Sequence, residues 1–252
     1  MSTLNIPWHP RILYKGRRFR LPVQDTTRID LSCPGFVIEH KRFSVHENAW
    51  FFYLRAPENT GDYVESTCKD SRVVVVRHQK NIGVGGAILT GYRHAYSDGA
   101  IIAVKVDGDG QMDPSYIPDL INPLLSGESD YTKGNRFSGV RYLREMPLLR
   151  VFGNSLLSFF SKFSSGYWNI LDPTNGFTAI HLSILSMLPL ERISKRYFFE
   201  SDLLHHLNIV DAVVTDVPIP ARYRGERSSL RIYKVGPEFL IKHIYNFFMM
   251  LN

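Results

Sequence analysis

The run Ala100-Ile101-Ile102-Ala103-Val104 passes through Lys105-Val106 and ends in Asp107-Gly108-Asp109-Gly110-Gln111. Continuous β-branched runs read as buried strands, so this carboxylate cluster falls at the C-terminal edge of a strand. Open α/β sheets bind their ligands at that edge. The glycines let the backbone turn sharply and leave the carboxylates unobstructed. Asp107 and Asp109, with Gln111 beyond them, form a hard oxygen set suited to a divalent cation that also grips a diphosphate. Asp and Gly are equally common in turns. A polar turn and a cation site therefore both stand at this point.

The flanking segments set the fold class. Residues 62–70 read as a short helix with Val64 and Thr67 inward. Arg72–Arg77 reads as a strand, with four valines between two charges. The glycine-rich loop Asn81-Ile82-Gly83-Val84-Gly85-Gly86 follows, then a helix from Ala87 to Tyr96 with Ile88, Tyr92 and Ala95 on one face. Glycines at a helix N-terminus admit a phosphate; tight packing of helix on strand explains them as well. After the strand Ala100–Val106, Asp113-Pro114 suits a cap and first turn. The helix there carries Ile117, Leu120, Ile121, Leu124 and Leu125. This βαβα rhythm predicts an α/β fold with a mostly parallel sheet flanked by helices.

Downstream, residues 130–137 read as a short strand and turn, and residues 148–163 as an amphipathic helix. The loop from Gly166 through Asp172-Pro173-Thr174-Asn175-Gly176-Phe177 has turn chemistry between aromatics. A helix with Ile180, Ile184, Leu185 and Leu188 is expected to stop at Pro189. Glu200 and Asp202 fall at the start of another helix, where capping of the dipole is one explanation. Ala212–Pro220 reads as a strand, and the apolar tail Glu238–Asn252 as an interfacial helix.

Composition narrows the partners. The chain has 252 residues and a formal net charge of +6, which suits anionic partners. Nucleic-acid binding would rest on that charge alone, because no recognised binding motif is present. Cys33 and Cys68 have no metal-ligand spacing and suggest no disulfide framework, so a reducing, cytoplasmic setting fits. The N-terminus is no signal peptide, and no stretch reaches the roughly 18 apolar residues of a spanning helix.

Taken in order, the loops resemble family-two glycosyltransferases of the GT-A fold. They are Asn81-x-Gly83-x-Gly85-Gly86, Asp107-Gly108-Asp109-Gly110-Gln111, Gly134-Asn135-Arg136-Phe137, Asp172–Phe177 and Glu200-Ser201-Asp202. The branch most resembled is the dolichol-phosphate and polyprenyl-phosphate sugar synthases. The resemblance implies that Asp107, Asp109 and Gln111 hold Mg²⁺ or Mn²⁺ with the donor diphosphate. It implies that Asn81, Gly83 and Gly85 line the nucleotide site, and that Asp172, Asn175 and Gly176 shape the donor-sugar pocket. Arg136, Arg150 and Arg222 would meet the acceptor phosphate, and Asp202 sits where hydroxyl-acceptor relatives keep a general base. Asp109, Asp202 and Arg136 are thus the implied catalytic residues. The implied reaction moves a sugar from a nucleotide diphosphate sugar of GDP-mannose or UDP-glucose type to a polyprenyl or dolichyl phosphate. It would occur peripherally at the cytoplasmic membrane face. Transfer to a hydroxyl of a glycan or lipid is the alternative, as is a truncated relative that only binds.

The resemblance divides the chain into an unassigned segment at 1–57, a glycosyltransferase domain at 58–237 and the tail at 238–252. Residues 1–57 are punctuated by prolines and carry nine Lys/Arg against four Asp/Glu. They lack the apolar strand and Asp-Asp-Gly-Ser turn with which the family begins. Replacement of this part, for example by an upstream frame shift, and a shortened C-terminus are the expectation. Reading the encoding DNA in all three frames tests it: an Asp-Asp-Gly-Ser codon run upstream supports replacement, and its absence from every frame removes the idea.

Overall fold

A computed structural model describes residues 12–14, 17–19, 50–51, 60–67, 73–107, 112–137, 158–219 and 232–250. Both cysteines lie outside them. So do Asp109, Gln111, Arg150 and Arg222.

Strands β1 (Ile12–Tyr14) and β2 (Arg17–Phe19) pair antiparallel. β3 (Trp50–Phe51) pairs parallel with β4 (Val73–Val74), and α1 (Thr60–Thr67) lies between them in sequence. Helix α2 (Gly83–Ser97) leads to β5 (Ile102–Lys105). A short 3₁₀ turn, Pro114–Tyr116, opens onto α3 (Ile117–Leu125), and β6 (Tyr131–Asn135) follows. Residues 158–165 form helix α4. β7 (Thr178–His181), α5 (Phe199–Ile209), β8 (Val214–Pro218) and α6 (Ile232–Met250) complete the described elements.

The principal sheet has the order β5-β7-β6-β8. β7 runs antiparallel to both β5 and β6, whereas β6 and β8 are parallel. The α/β class holds, but this sheet is mixed rather than mostly parallel. The βαβα rhythm was read from β4 to α3, whereas β7 arrives from further along the chain and inserts between β5 and β6. The sequence pattern alone predicts a helix at its Ile180. A short apolar run has no period that separates buried strand from buried helix, and here Ile180 is paired on both sides. Only Leu182–Met187 turns, as 3₁₀.

Side-chain alternation divides the core into two layers. Ile180 and Val214 face α2 and α5, joining Leu89, Tyr92, Leu203, Leu204 and Leu207. Ala179 and Val217 face α3, joining Leu120 and Leu124. Leu203, Leu204 and Leu207 are fully buried, and each such side chain contributes roughly 2 kcal/mol. The α3 layer is also tied by Thr132 Oγ1, which donates to Leu120 O at 2.7 Å. The Asp113 cap expected before α3 is present, its carboxylate accepting from Ser115 N at 3.0 Å.

Helix α2 begins at Gly83, earlier than the expected Ala87, because the glycine loop is its first turn. A Cβ on Gly85 would meet Ser194 O at 2.5 Å and the Phe199 ring at 2.7 Å. Gly83 adopts φ +82° with the Lys195 carbonyl against its Cα. Gly86 N donates to that carbonyl at 3.1 Å. The apolar tail belongs to α6, which starts upstream of the expected boundary and runs through it. Phe239, His243 and Asn246 on α6 are buried, and His243 Nδ1 lies 2.6 Å from Ser164 Oγ.

Two outcomes follow from this packing. Gly85→Ala forces the 194–199 turn away from α2 and should cost about 1–3 kcal/mol in urea unfolding; an unchanged midpoint would contradict the close approach. Burial holds His181 down to about 3 and His243 down to about 4. The unfolded chain therefore takes up protons first on acidification, and stability is lost as pH falls from 6.5 toward 4, by roughly 3 kcal/mol per histidine. Asp216, raised to about 6 by burial, acts in the opposite direction over part of that range. A urea midpoint that stays flat from pH 6.5 to 4 would contradict neutral, buried histidines.

Candidate active site

Lys105 is the last residue of β5 and is 9% exposed. Burying an ammonium inside an apolar strand requires partners. It has two: Nζ lies 3.0 Å from Asp107 Oδ1 and 3.1 Å from Glu200 Oε1. Burial lowers its pKa, but Glu200 and then Asp107 outweigh burial and hold the ammonium above the ordinary lysine value. Asp107 keeps 39% of its side chain exposed, against 14% for Glu200. The Asp107 amide donates to Met112 Sδ at 3.2 Å, which bends the chain back toward α3.

Gly176 brings the second loop onto the first. A Cβ there would fall on Lys105 Nζ and Asp107 Oδ2. Only a residue without a side chain leaves that carboxylate uncovered. The loop is held by Asn175, whose Nδ2 donates to Gly134 O at 2.7 Å and whose Oδ1 accepts from Phe177 N at 3.0 Å. Gly134 N closes the junction by donating to Phe177 O at 2.8 Å. Lys133, also fully buried, donates to the Asn175 carbonyl. Burial pushes that ammonium down to about 8, against the opposing pull of Glu200 and Asp172.

Arg136 and Asp172 meet directly. Arg136 Nε donates to Asp172 Oδ2 at 2.6 Å, and Nη2 donates to Oδ1 at 2.8 Å. This two-pronged geometry fixes the guanidinium plane. Asp172 is fully buried, while Arg136 keeps 25% of its side chain exposed.

Of the residues singled out from the sequence, Asp107 and Gly176 come together, as do Arg136 and Asp172. Asn175 ties those two places to β6. Asn81 accepts from Gly83 N at 2.9 Å, and Gly83 and Gly85 pack on the 194–199 turn. Asp202 is 5% exposed. Its Oδ2 accepts from Ser194 N at 2.7 Å and its Oδ1 from Asn246 Nδ2 at 2.8 Å, so it joins α5 to α6. Glu200, two residues earlier, is the acidic side chain that reaches Lys105. Lys105 and Lys133 were not singled out as site residues. The signal was available, because a lone lysine inside a buried strand needs a specific partner. Among the described residues no three His, Cys, Asp or Glu side chains gather into a metal cluster.

Comparisons with known proteins identify the family. The profile described as Glycosyl transferase family 2 matches residues 55–188. UDP-N-acetylglucosamine–dolichyl-phosphate N-acetylglucosaminyltransferase of Methanococcus voltae is 35% identical over 152 residues, covering 60% of each protein. Undecaprenyl-phosphate mannosyltransferase of Micrococcus luteus is 26% identical over 166 residues, covering 65% of this chain and 67% of that protein. In fold, the chain is similar to glucosyl-3-phosphoglycerate synthase of Mycobacterium tuberculosis solved with uridine diphosphate. The TM-score is 0.53 at 20% identity, over 76% of this chain and 65% of that one. The chain thus matches over about 60% of the length of the Methanococcus relative. With the matched region covering more than half of its residues and the fold of GT-A type, the chain belongs to glycosyl transferase family 2.

Proposed function

We propose that this protein transfers a sugar from a nucleotide diphosphate sugar to a polyprenyl or dolichyl phosphate. The observation that carries the reading is the Asp107 carboxylate, braced from below by buried Lys105 and left uncovered by Gly176. The hard oxygens of Asp107, whose side chain stays 39% exposed, suit a divalent cation. Asp107, with Asp109 and Gln111, would hold Mg²⁺ or Mn²⁺. Such an ion, when bound, neutralises the diphosphate leaving group. A glucosyl-3-phosphoglycerate synthase of this fold was solved with Mn²⁺ and uridine diphosphate.

The state of the two acidic residues on α5 supports a phosphate acceptor over a hydroxyl. A general base needs a carboxylate free to take a proton. Both oxygens of Asp202 are engaged by Ser194 and Asn246. Glu200 is tied to the Lys105 ammonium, so its carboxylate is occupied as well. A phosphate monoester is already ionised near neutral pH, so orientation suffices. Arg136, planar and partly exposed, supplies it, with Arg150 and Arg222 as further cations. Asn81 would border the nucleotide.

An acceptor of this kind resides in a membrane. No helix among the described residues is long and apolar enough to cross one. Ile241, Tyr245 and Phe248 of α6 are 68%, 62% and 59% exposed. Phe163 of α4 lies 5.2 Å from the Trp168 ring and 6.1 Å from that of Phe247. An aromatic, apolar face of this kind supports peripheral seating at the cytoplasmic leaflet.

Calorimetry with UDP- and GDP-sugars, with and without Mn²⁺, tests the donor half. Metal-dependent binding is expected, and its absence for every donor would leave a relative that no longer binds. Paired assays with a polyprenyl phosphate and a glycan hydroxyl test the acceptor half. Asp107→Asn and Asp109→Asn should each lower turnover about 100-fold, the scale of losing one stabiliser of developing charge. Full activity in both would overturn the cation assignment.

A further inference from the structure

Asp216 lies on β8 opposite Lys133 of β6. One of its oxygens, Oδ2, accepts from Asn135 Nδ2 at 2.9 Å and from Leu171 N at 2.8 Å. Asn135 immediately precedes Arg136, and Leu171 immediately precedes Asp172. A single carboxylate oxygen therefore anchors the chain next to each member of the Arg136–Asp172 pair. The other oxygen, Oδ1, is buried with no hydrogen-bond partner. Leaving a buried acceptor empty costs free energy. A group kept at such a cost for packing alone would be replaceable by an apolar residue.

We propose that Asp216 is a positioning residue that sets the spacing and aim of the Arg136–Asp172 pair from behind, and with it the presentation of the Arg136 guanidinium to the acceptor phosphate. The second half rests on the acceptor reading above; the first half does not. Burial raises the Asp216 carboxyl to about 6, with the Leu171 amide opposing, Asp172 adding, and Lys133 and Lys162 opposing. These are the charged groups that bear on it among the described residues, from β6, α4 and the 166–177 loop. A proton arriving on acidification has an empty place on Oδ1. Oδ2 then keeps its two donors but loses the charge that strengthens those bonds.

Two substitutions separate the roles. Asp216→Leu removes both anchors and keeps the branching of the side chain at Cγ. Asp216→Asn keeps one acceptor oxygen and fixes the group in its uncharged form. The first measurement needs no substrate: the ¹⁵N-labelled Arg136 Nε–H resonance, assigned by its loss in Arg136→Lys. It should be slow to exchange in the wild type and broadened or fast in Asp216→Leu. The second is steady-state kinetics with a short-chain polyprenyl phosphate. In Asp216→Leu, acceptor kcat/KM should fall roughly tenfold to hundredfold. The ratio of acceptor KM in Asp216→Asn to that in the wild type should exceed one at pH 7.5 and fall toward one at pH 5.5. The ratio of the two proteins' KM values is compared across pH, because the acceptor phosphate itself titrates near pH 6. An unchanged Arg136 resonance in Asp216→Leu overturns the proposal. A disturbed resonance with unchanged acceptor kinetics leaves Asp216 as the anchor and removes Arg136 from acceptor binding. Should Asp216→Leu fail to fold, the Asp216→Asn ratio decides: a ratio constant from pH 5.5 to 7.5 overturns the proposal.

Discussion

The Lys105 ammonium, buried between Asp107 and Glu200, is the interaction on which the rest of this site depends. It joins the end of β5 to the start of α5, two elements separated by nearly a hundred residues of sequence. A buried charge of this kind adds little net stability, because desolvation offsets most of the attraction. Its consequence is geometric. The Asp107 carboxylate is held in one place, close under Gly176, with its remaining face open. Glu200 is held at the same point, and its negative charge is committed to the lysine.

Around that contact the two informative loops have different jobs. The 172–177 loop is gripped by β6 through Lys133, Gly134 and Asn175, so its glycine can lie against Asp107. The same loop delivers Asp172 to Arg136. The Asp107 carboxylate and the Arg136 guanidinium are thus referenced to one short strand, β6, and through Asp216 to its neighbour β8. The glycines of α2 serve a further purpose. They let the helix approach the 194–199 turn, which leads into α5 and hence to Glu200. An anion at that helix start would share the space with a turn that already accepts the Gly86 amide.

Helix α6 connects this interior to the exposed apolar face. Asn246 reaches Asp202 and His243 reaches Ser164, so the helix that presents Ile241, Tyr245 and Phe248 outward is pinned to α5 and α4. Asp202, which sequence order placed with the catalytic acids, is one of the pins. Glu200 and Asp202 are two residues apart, and on a helix that spacing sends side chains to nearly opposite faces. One turns to the lysine and the other to α6.

The sequence by itself determined the family-like order of loops, the α/β class, the strand that leads to Asp107 and the caps and helices around it. Those are local: β-branched runs, an Asp-Pro start and glycine turns act over a few residues, and short-range sterics decide them. Tertiary structure decided what each polar side chain does. Nothing local distinguishes Asp202 as a helix-to-helix pin from Glu200 as the partner of Lys105, nor marks Asp216 as the anchor behind Arg136. Nor does a short apolar run say whether Ile180 is strand or helix. Each outcome depends on which distant segment supplies the partner, because a buried charge or amide is tolerated only where the fold brings its counterpart within hydrogen-bonding distance.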